Sequence, residues 1–335
     1  MPPSSPDGLT RNAGIREVAR RAGVSIATVS RVFNAHSTVQ QGTRERVLEE
    51  ARAVGYSPSP LGRNLVRGRS DLLGVILPNT GFPLYGAVLR GIEDTIQASG
   101  MSVLLASSRD DAQIEVQAAQ HLLRHAVDAS IVVNSRAGRN LPTDRDLAYV
   151  HIAPEDPAVP HRVELDNVRG GELAAVELLA GGARCPAFVG APGRESAERE
   201  RGFVTSMEEA GRRVRRVPGD YSEDSGLRAG MALPADVDAV FVAGDLMAAG
   251  VLRALHQQGR RVPTDVAIVG FDDSLIAPLL YPRLSSVRQL AYDMGVAAAQ
   301  LALGLIAGEP GPDVVITPEL VRRESSIRVP SPRPP

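Results

Sequence analysis

Ile15-Arg-Glu-Val-Ala-Arg-Arg-Ala-Gly-Val-Ser-Ile-Ala-Thr-Val-Ser-Arg-Val-Phe-Asn34 holds two helical periods broken by one glycine. Ile15–Ala22 reads as a short helix with Val18, Ala19 and Ala22 on one face. Gly23 permits a tight turn, and Ser25 stands where a hydroxyl can accept from the orphan N–H groups of a new helix. Val29, Val32 and Phe33 then recur at i, i+3, i+4 spacing and pack back on the first helix. Ile26, Ala27 and Arg31 are left facing outward. A third helix is predicted from Thr43 to Val54, with Val47, Leu48, Ala51 and Val54 inward and Gly55 ending it. Two short helices joined at a glycine over a third form the helix-turn-helix pattern. A generic three-helix interaction module would show the same periodicity.

Charge favours the first of these readings. Residues 1–70 carry 11 Arg against five acids, a net of +6, whereas the other 26 basic and 34 acidic residues leave the remainder at −8. A basic head on an acidic body suits a phosphate-backbone binder with a separate regulatory part. Arg31 on the outward face is a candidate guanine reader. Ser57-Pro58-Ser59-Pro60 is stiff and non-helical, and a linker-like stretch follows it to Ser70. The expected domains are therefore 10–57 for the head, 58–70 for a hinge and 71–330 for the body.

From Leu72 apolar runs alternate with helical patterns: Leu72–Leu77, Leu84–Ala98, Val103–Ala106, Asp111–Arg124 and Ser130–Asn134. A second series is read as starting near Val163. It continues through Gly170–Leu179, Pro186–Gly190, Ser196–Ala210, Ala239–Ala243, Asp245–Gln258 and Val266–Phe271. Two βαβ series imply an α/β body of two doubly wound parallel-sheet lobes, with a ligand crevice at the carboxyl ends of the strands.

The 335 residues are 43% hydrophobic and 23% charged, an ordinary globular balance. No apolar run is long enough to span a bilayer. Met1–Arg11 lacks the apolar core of a secretory signal. The single cysteine, Cys185, builds neither an internal disulfide nor a structural zinc site. A cytoplasmic protein without membrane partners is expected. No nucleophile elbow, P-loop, dinucleotide fingerprint or metal-spaced His/Cys group is present, so neither an enzyme nor a bound cofactor is expected. His121 and His125, at i, i+4, read as a polar helix face.

The order and spacing of Ile15–Asn34, with Thr43-Arg-Glu-Arg-Val47 and Gly55-Tyr-Ser-Pro58, resemble the head of the LacI/GalR family of bacterial regulators. The body is similar to that family's periplasmic-binding-protein-like core through Arg90-Gly-Ile-Glu93, Asp166-Asn167, Ala243-Gly-Asp-Leu-Met247, Val262-Pro263, Val269-Gly-Phe-Asp-Asp273 and Val287-Arg-Gln289. The resemblance implies a homodimeric transcription regulator, most often a repressor. It would hold a pseudo-palindromic double-stranded operator and be controlled by a small-molecule effector such as a sugar or sugar derivative. It implies a recognition helix in the major groove and a hinge helix, Pro60–Val66, that folds on DNA with Leu65 as a minor-groove wedge. The DNA-binding candidates are Ser25, Ile26, Ala27, Thr28, Arg31, Arg44, Arg63, Asn64 and Leu65. The effector candidates are Tyr85, Asn134, Arg199, Tyr221, Asp272 and Gln289.

Other readings stay open at several of these positions. Arg199, among Glu195, Glu198 and Glu200, also fits a solvated helix charge. Asp272 also fits a cap on the turn after its strand, and the two tyrosines fit core aromatics. Four positions depart from the family pattern. Gly62 stands for a hinge Ala, Gln40 for a capping Ser and Gly244 for a ligand-contacting Asn. His151 stands where sugar binders can carry Asp. Only a Pro-rich tail follows Arg322-Arg323-Glu324-Ser325, so no tetramerisation helix is expected. A solute-binding protein of a transport system is the alternative that shares the body fold.

Overall fold

The computed structural model describes residues 14–33, 39–56, 69–79, 81–143 and 147–327. The chain divides into two units, Met1–Asp71 and Leu72–Pro335.

In the first unit, α1 (Ile15–Ala22), α2 (Ile26–Phe33) and α3 (Gln41–Ala53) enclose Val18, Ala19, Ala22, Val29, Val32, Val47 and Ala51. Gly23 stops α1 at φ 64°, in the left-handed region that a side chain disfavours. Val24 N–H then donates to the Ala19 carbonyl at 3.0 Å. Gly55 does the same for α3, and Tyr56, folded back beneath it, meets Phe33 edge-on at 5.6 Å. Helix α3 begins two residues before the predicted Thr43, and Gln40 at its head makes no side-chain cap.

The body holds two six-stranded sheets. The first has the order β11-β5-β4-β3-β1-β2, from β1 (Leu72–Leu77), β2 (Ser102–Ser107), β3 (Ala129–Val133), β4 (Ala148–Ile152), β5 (Arg162–Leu165) and β11 (Val314–Ile316). The second has the order β12-β10-β9-β8-β6-β7, from β6 (Pro186–Gly190), β7 (Arg215–Pro218), β8 (Ala239–Val242), β9 (Ala267–Asp272), β10 (Ser285–Arg288) and β12 (Glu319–Val321). All pairs are parallel except β10 with β12. Central strands are buried on both faces, as parallel sheets require.

Helices α4 (Pro83–Ile96), α5 (Ala112–Arg124) and α10 (Ala291–Ala307) cover the first sheet. Helices α6 (Asn167–Ala180), α7 (Arg194–Glu209), α8 (Glu223–Met231) and α9 (Asp245–Gln257) cover the second. Strand β5 corrects the sequence reading, because it pairs with β4 and β11 and so closes the first sheet instead of opening the second. Periodicity identifies a strand but not the sheet that receives it. The chain passes between lobes after β5, after β10 and after β11, so each lobe contains the end of the other's sequence.

Helix pairs approach through glycine. A Cβ on Gly171 of α6 would lie 2.1 Å from the Arg199 carbonyl of α7, and one on Gly202 of α7 would lie 1.9 Å from that of Val168. Only hydrogen fits at such contacts, and this close approach fixes the height of Arg199 over the sheet.

Candidate functional site

In the head, Ser25 caps α2: its hydroxyl accepts from Thr28 N–H at 3.1 Å and lies 2.9 Å from the Thr28 hydroxyl. Ser25 and Thr28 are thus partly engaged with each other. Ile26, Ala27 and Arg31 are exposed on the same helix, with Ile26 at 45%, as their spacing against Val29 and Val32 requires. Arg44 is half-buried in the first turns of α3. Arg46, two residues on, donates to the Ala22 carbonyl at 3.0 Å and ties α3 to the end of α1. Glu17 accepts from Arg20 and Arg21, which hold its carboxyl down at about 2. Arg63, Asn64 and Leu65 lie outside the described residues.

The body has a cleft of about 360 Å³ between its lobes, lined by all six effector candidates, in the range of small-molecule sites. Their positions follow from topology. Asn134 follows β3, Tyr221 follows β7, Asp272 ends β9 and Gln289 follows β10. Tyr85 sits in the first turn of α4 and Arg199 in the second turn of α7. Carboxyl ends of parallel strands therefore converge with helix beginnings. Asn134 (φ 50°), Tyr221 (φ 68°) and Asp272 (φ 107°) have left-handed backbones. Such strain concentrates at functional positions held by their surroundings.

Arg199 is 2% exposed, so it is no solvated helix charge. Its Nε donates to Asn167 Oδ1 at 2.8 Å and its Nη1 to the Ala243 carbonyl at 2.7 Å. Its Nη2 reaches Glu195 Oε1 at 3.4 Å, and its guanidinium carbon lies 3.7 Å from the Phe271 ring centre. Such a held fork can offer its remaining N–H groups to paired oxygens. Asp272 accepts from the Gln289 amide and from the backbone N–H of Asp245, not from its own turn. Tyr85 and Tyr221 are half-buried and reach the cleft, where burial raises the Tyr221 hydroxyl to about 12 and lifts that of Tyr85 as well.

Behind Asp272, Asp245 is fully buried and accepts from Ser286 Oγ at 2.6 Å and from Ser274 N–H at 2.7 Å. Burial lifts both carboxyls, and Asp272 lifts Asp245 further. The lobes are bridged across the cleft. Asn134 Nδ2 donates to Glu195 Oε2 at 3.1 Å, and Arg194 N–H donates to Glu155 Oε2 at 3.1 Å. On the first lobe, buried Glu115 of α5 accepts from Ser135 Oγ at 2.5 Å and Arg136 N–H at 2.9 Å. It thereby fixes the loop that carries Asn134.

Sequence reading missed Asp110, Arg136, Glu155, Glu195 and Asp220, which also line the cleft. Glu195 was findable, since it lies four residues before Arg199 on one helix face. Asp110, Glu155 and Asp220 follow β2, β4 and β7, so their places at strand ends were the available signal. Two departures take on new meaning. A Cβ on Gly244 would lie 3.2 Å from Tyr221 and 3.5 Å from Asp272, so Tyr221 covers the space an Asn would enter. His151 is not among the residues that line the cleft. It is 3% exposed near Tyr149, its Nδ1 lacks a partner, and burial lowers it to about 4. His121 on α5 and His125 just after it are exposed, and among the described residues no three His, Cys, Asp or Glu side chains form a metal-holding group.

Residues 14–59 match the family model for bacterial regulatory proteins of the lacI family, and residues 175–326 match a periplasmic binding protein-like domain. The transcriptional regulator RegA of Clostridium saccharobutylicum is 31% identical over 93% of this chain and 99% of its own. CelR of Thermobifida fusca is 33% identical over 94% and 98%. The ribose operon repressor of Halalkalibacterium halodurans is 31% identical over 88% and 91%. Among solved structures, a CelR–cellobiose complex has TM-score 0.67 at 30% identity, covering 93% of this chain and 99% of that one. The lac repressor dimer bound to operator and an anti-inducer has TM-score 0.83 at 24% identity, covering 95% and 100%. These relatives are named regulators and repressors, which leaves the transport alternative without support.

Proposed function

The chain belongs to the LacI family of bacterial transcription regulators, and from that premise we propose that it is a cytoplasmic, homodimeric repressor whose hold on a pseudo-palindromic operator changes when a sugar or sugar derivative occupies the cleft. The cleft carries this reading: six candidate side chains from both lobes meet in one cleft around a buried guanidinium. Arg199 and Asp272 are the pair that would fix vicinal hydroxyls. The effector acts by favouring one degree of lobe closure, and only a difference in affinity for the two conformers can do that. A coupling of about 1–3 kcal/mol changes operator affinity 5- to 150-fold.

On the DNA side, Arg31 reads a guanine, while Ile26 and Ala27 contact apolar features of the groove. Arg44 holds phosphate. In the hinge, Arg63 and Asn64 contact DNA and Leu65 is the wedge. The homodimer is supported by the exposed apolar segment of the body, with Leu275 at 75%, Leu279 at 81% and Tyr281 at 95%. A second copy would cover it. No helix among the described residues is long and apolar enough to cross a membrane.

The test is fluorescence anisotropy with DNA from upstream of the protein's own gene. The full chain should bind it tightly and the fragment from Asp71 onward should not. Tight sequence-specific binding by that fragment would refute the division of labour.

A further inference from the structure

Five carboxylates line the cleft (Asp110, Glu155, Glu195, Asp220 and Asp272) against two guanidiniums, Arg136 and Arg199. Arg136 is engaged: it pairs with Asp110 through two bonds of 2.7 and 2.8 Å. Glu155 faces the beginning of α7, where the Arg194 N–H and the helix dipole offset its charge. Asp220 stays ionised, held at about 2 by Ser222, Ser225 and the Ser222 backbone. Glu195 and Asp272 remain: Glu195 accepts from Asn134 and lies near Arg194 and Arg199, and Asp272 shares Arg199, which is already committed to Asn167 and Ala243. Fully buried Asp245 stands behind Asp272. On the inner wall Arg199 thus faces Glu195 and Asp272 with Asp245 behind them, and the next cation, Arg194, is itself paired with Glu164 and Glu198.

Buried carboxylates short of counter-charge either take up protons or gain a cation. A metal ion does not suit the wall, since no three ligating side chains converge among the described residues. A sugar acid or phosphate would add negative charge where it is already in excess. Resting on the reading of this cleft as the effector site, we infer that the effector is a hydroxylated organic cation of the amino-sugar class, with its ammonium on the Glu195–Asp272 side. The Gln289 amide and the Tyr85 hydroxyl are the groups placed to meet its hydroxyls. The rings of Phe82 and Tyr221 offer faces to a sugar ring or a cation. Burial lifts the carboxyls of Glu195, Asp272 and Asp245. An arriving ammonium lowers them again, so binding expels protons.

The experiment is calorimetric titration of the full-length protein with matched trios: glucosamine, glucose and glucuronate, then the galacto and manno equivalents. Each is run in two buffers of different ionisation heat. In the configuration that binds, the amine should bind at least tenfold more tightly than its neutral partner, the uronate more weakly than either, and the amine should release protons. Glu195→Gln should erase the advantage of the amine. Should that variant fail to fold, the trio ranking and proton release of the unaltered protein still decide the matter. A neutral sugar or uronate that binds best, through a site lost in Arg199→Ala, overturns the cationic class and leaves the cleft as an effector site. Silence across all nine compounds overturns this inference.

Discussion

Arg31 in the head and Arg199 in the body present the same guanidinium in opposite settings. Arg31 is exposed on α2, a helix that packs against α1 and α3. Arg199 is 2% exposed, fixed by Asn167, the Ala243 carbonyl and the Phe271 ring. A side chain that must search along a charged polymer keeps its donors for the polymer. One that must discriminate a small ligand is fixed beforehand, so little ordering is left to do on binding. The two regions therefore break differently. A substitution at Arg31 should change what is read and leave the fold alone. A substitution at Arg199 should change response and stability together.

The largest effect is expected at Arg199. Removing it leaves Glu195 and Asp272 without their shared cation, a loss of about 3–5 kcal/mol for a buried charge set. Arg199→Ala should abolish response to effector and lower the melting temperature of the body. Its operator affinity without effector should stay close to that of the unaltered protein. Undiminished induction in a reporter assay would remove Arg199 from the site.

A pH effect should distinguish the regions next. His151 is held at about 4, against 6.5 when exposed. The folded body therefore binds its proton more weakly than the unfolded chain, and stability is lost as pH falls from about 6.5 towards 4. The difference amounts to about 3 kcal/mol, at about 1.4 kcal/mol per pH unit. Denaturant titrations of His151→Asn should show the loss of stability between about pH 6.5 and 4 reduced by this amount. An unchanged loss would mean that His151 is not buried uncharged.

At Arg31 the expected loss is about 1–3 kcal/mol on the operator, with preference relaxed at one base pair per half-site. Arg44→Ala should weaken all sequences about equally and lower the salt slope by about one unit. A uniform loss in Arg31→Ala, with every base preference kept, would show that Arg31 holds phosphate. The smallest effect is at Ser25: Ser25→Ala removes the bond to Thr28 N–H and should cost the head about 1 kcal/mol. No change in head stability would make the cap incidental.

These regions also differed in how far their residues announced them. The head was legible because its helices are short and bury one clean stripe each, and α1 and α3 stop at glycines. Strands β1, β3, β6, β8 and β9 were legible as apolar runs. Helix α10 was not, since Ala291–Ala307 is apolar nearly all round and shows no stripe to read. Strand β7 is an exposed edge, Arg-Arg-Val-Pro, without the signature of a buried strand. Strand β5 was seen but assigned to the wrong lobe, because sheet membership is a tertiary property. In the cleft, family resemblance located six side chains that topology brings together. The acids around them come from loops after strands, where no local pattern distinguishes a ligand wall from a solvated turn. Arg199 could not be told from a surface charge until its helix was seated by Gly171 and Gly202.

The central claim is that reading and response reside in different units of one chain. Operator anisotropy of the unaltered protein, Arg31→Ala and Arg199→Ala, each with and without the effector identified by titration, tests it most directly. The account predicts that Arg31→Ala binds operator more weakly yet shifts with effector by the same factor as the unaltered protein, whereas Arg199→Ala binds operator normally and does not shift. A normal shift in Arg199→Ala, or a lost shift in Arg31→Ala, would contradict it.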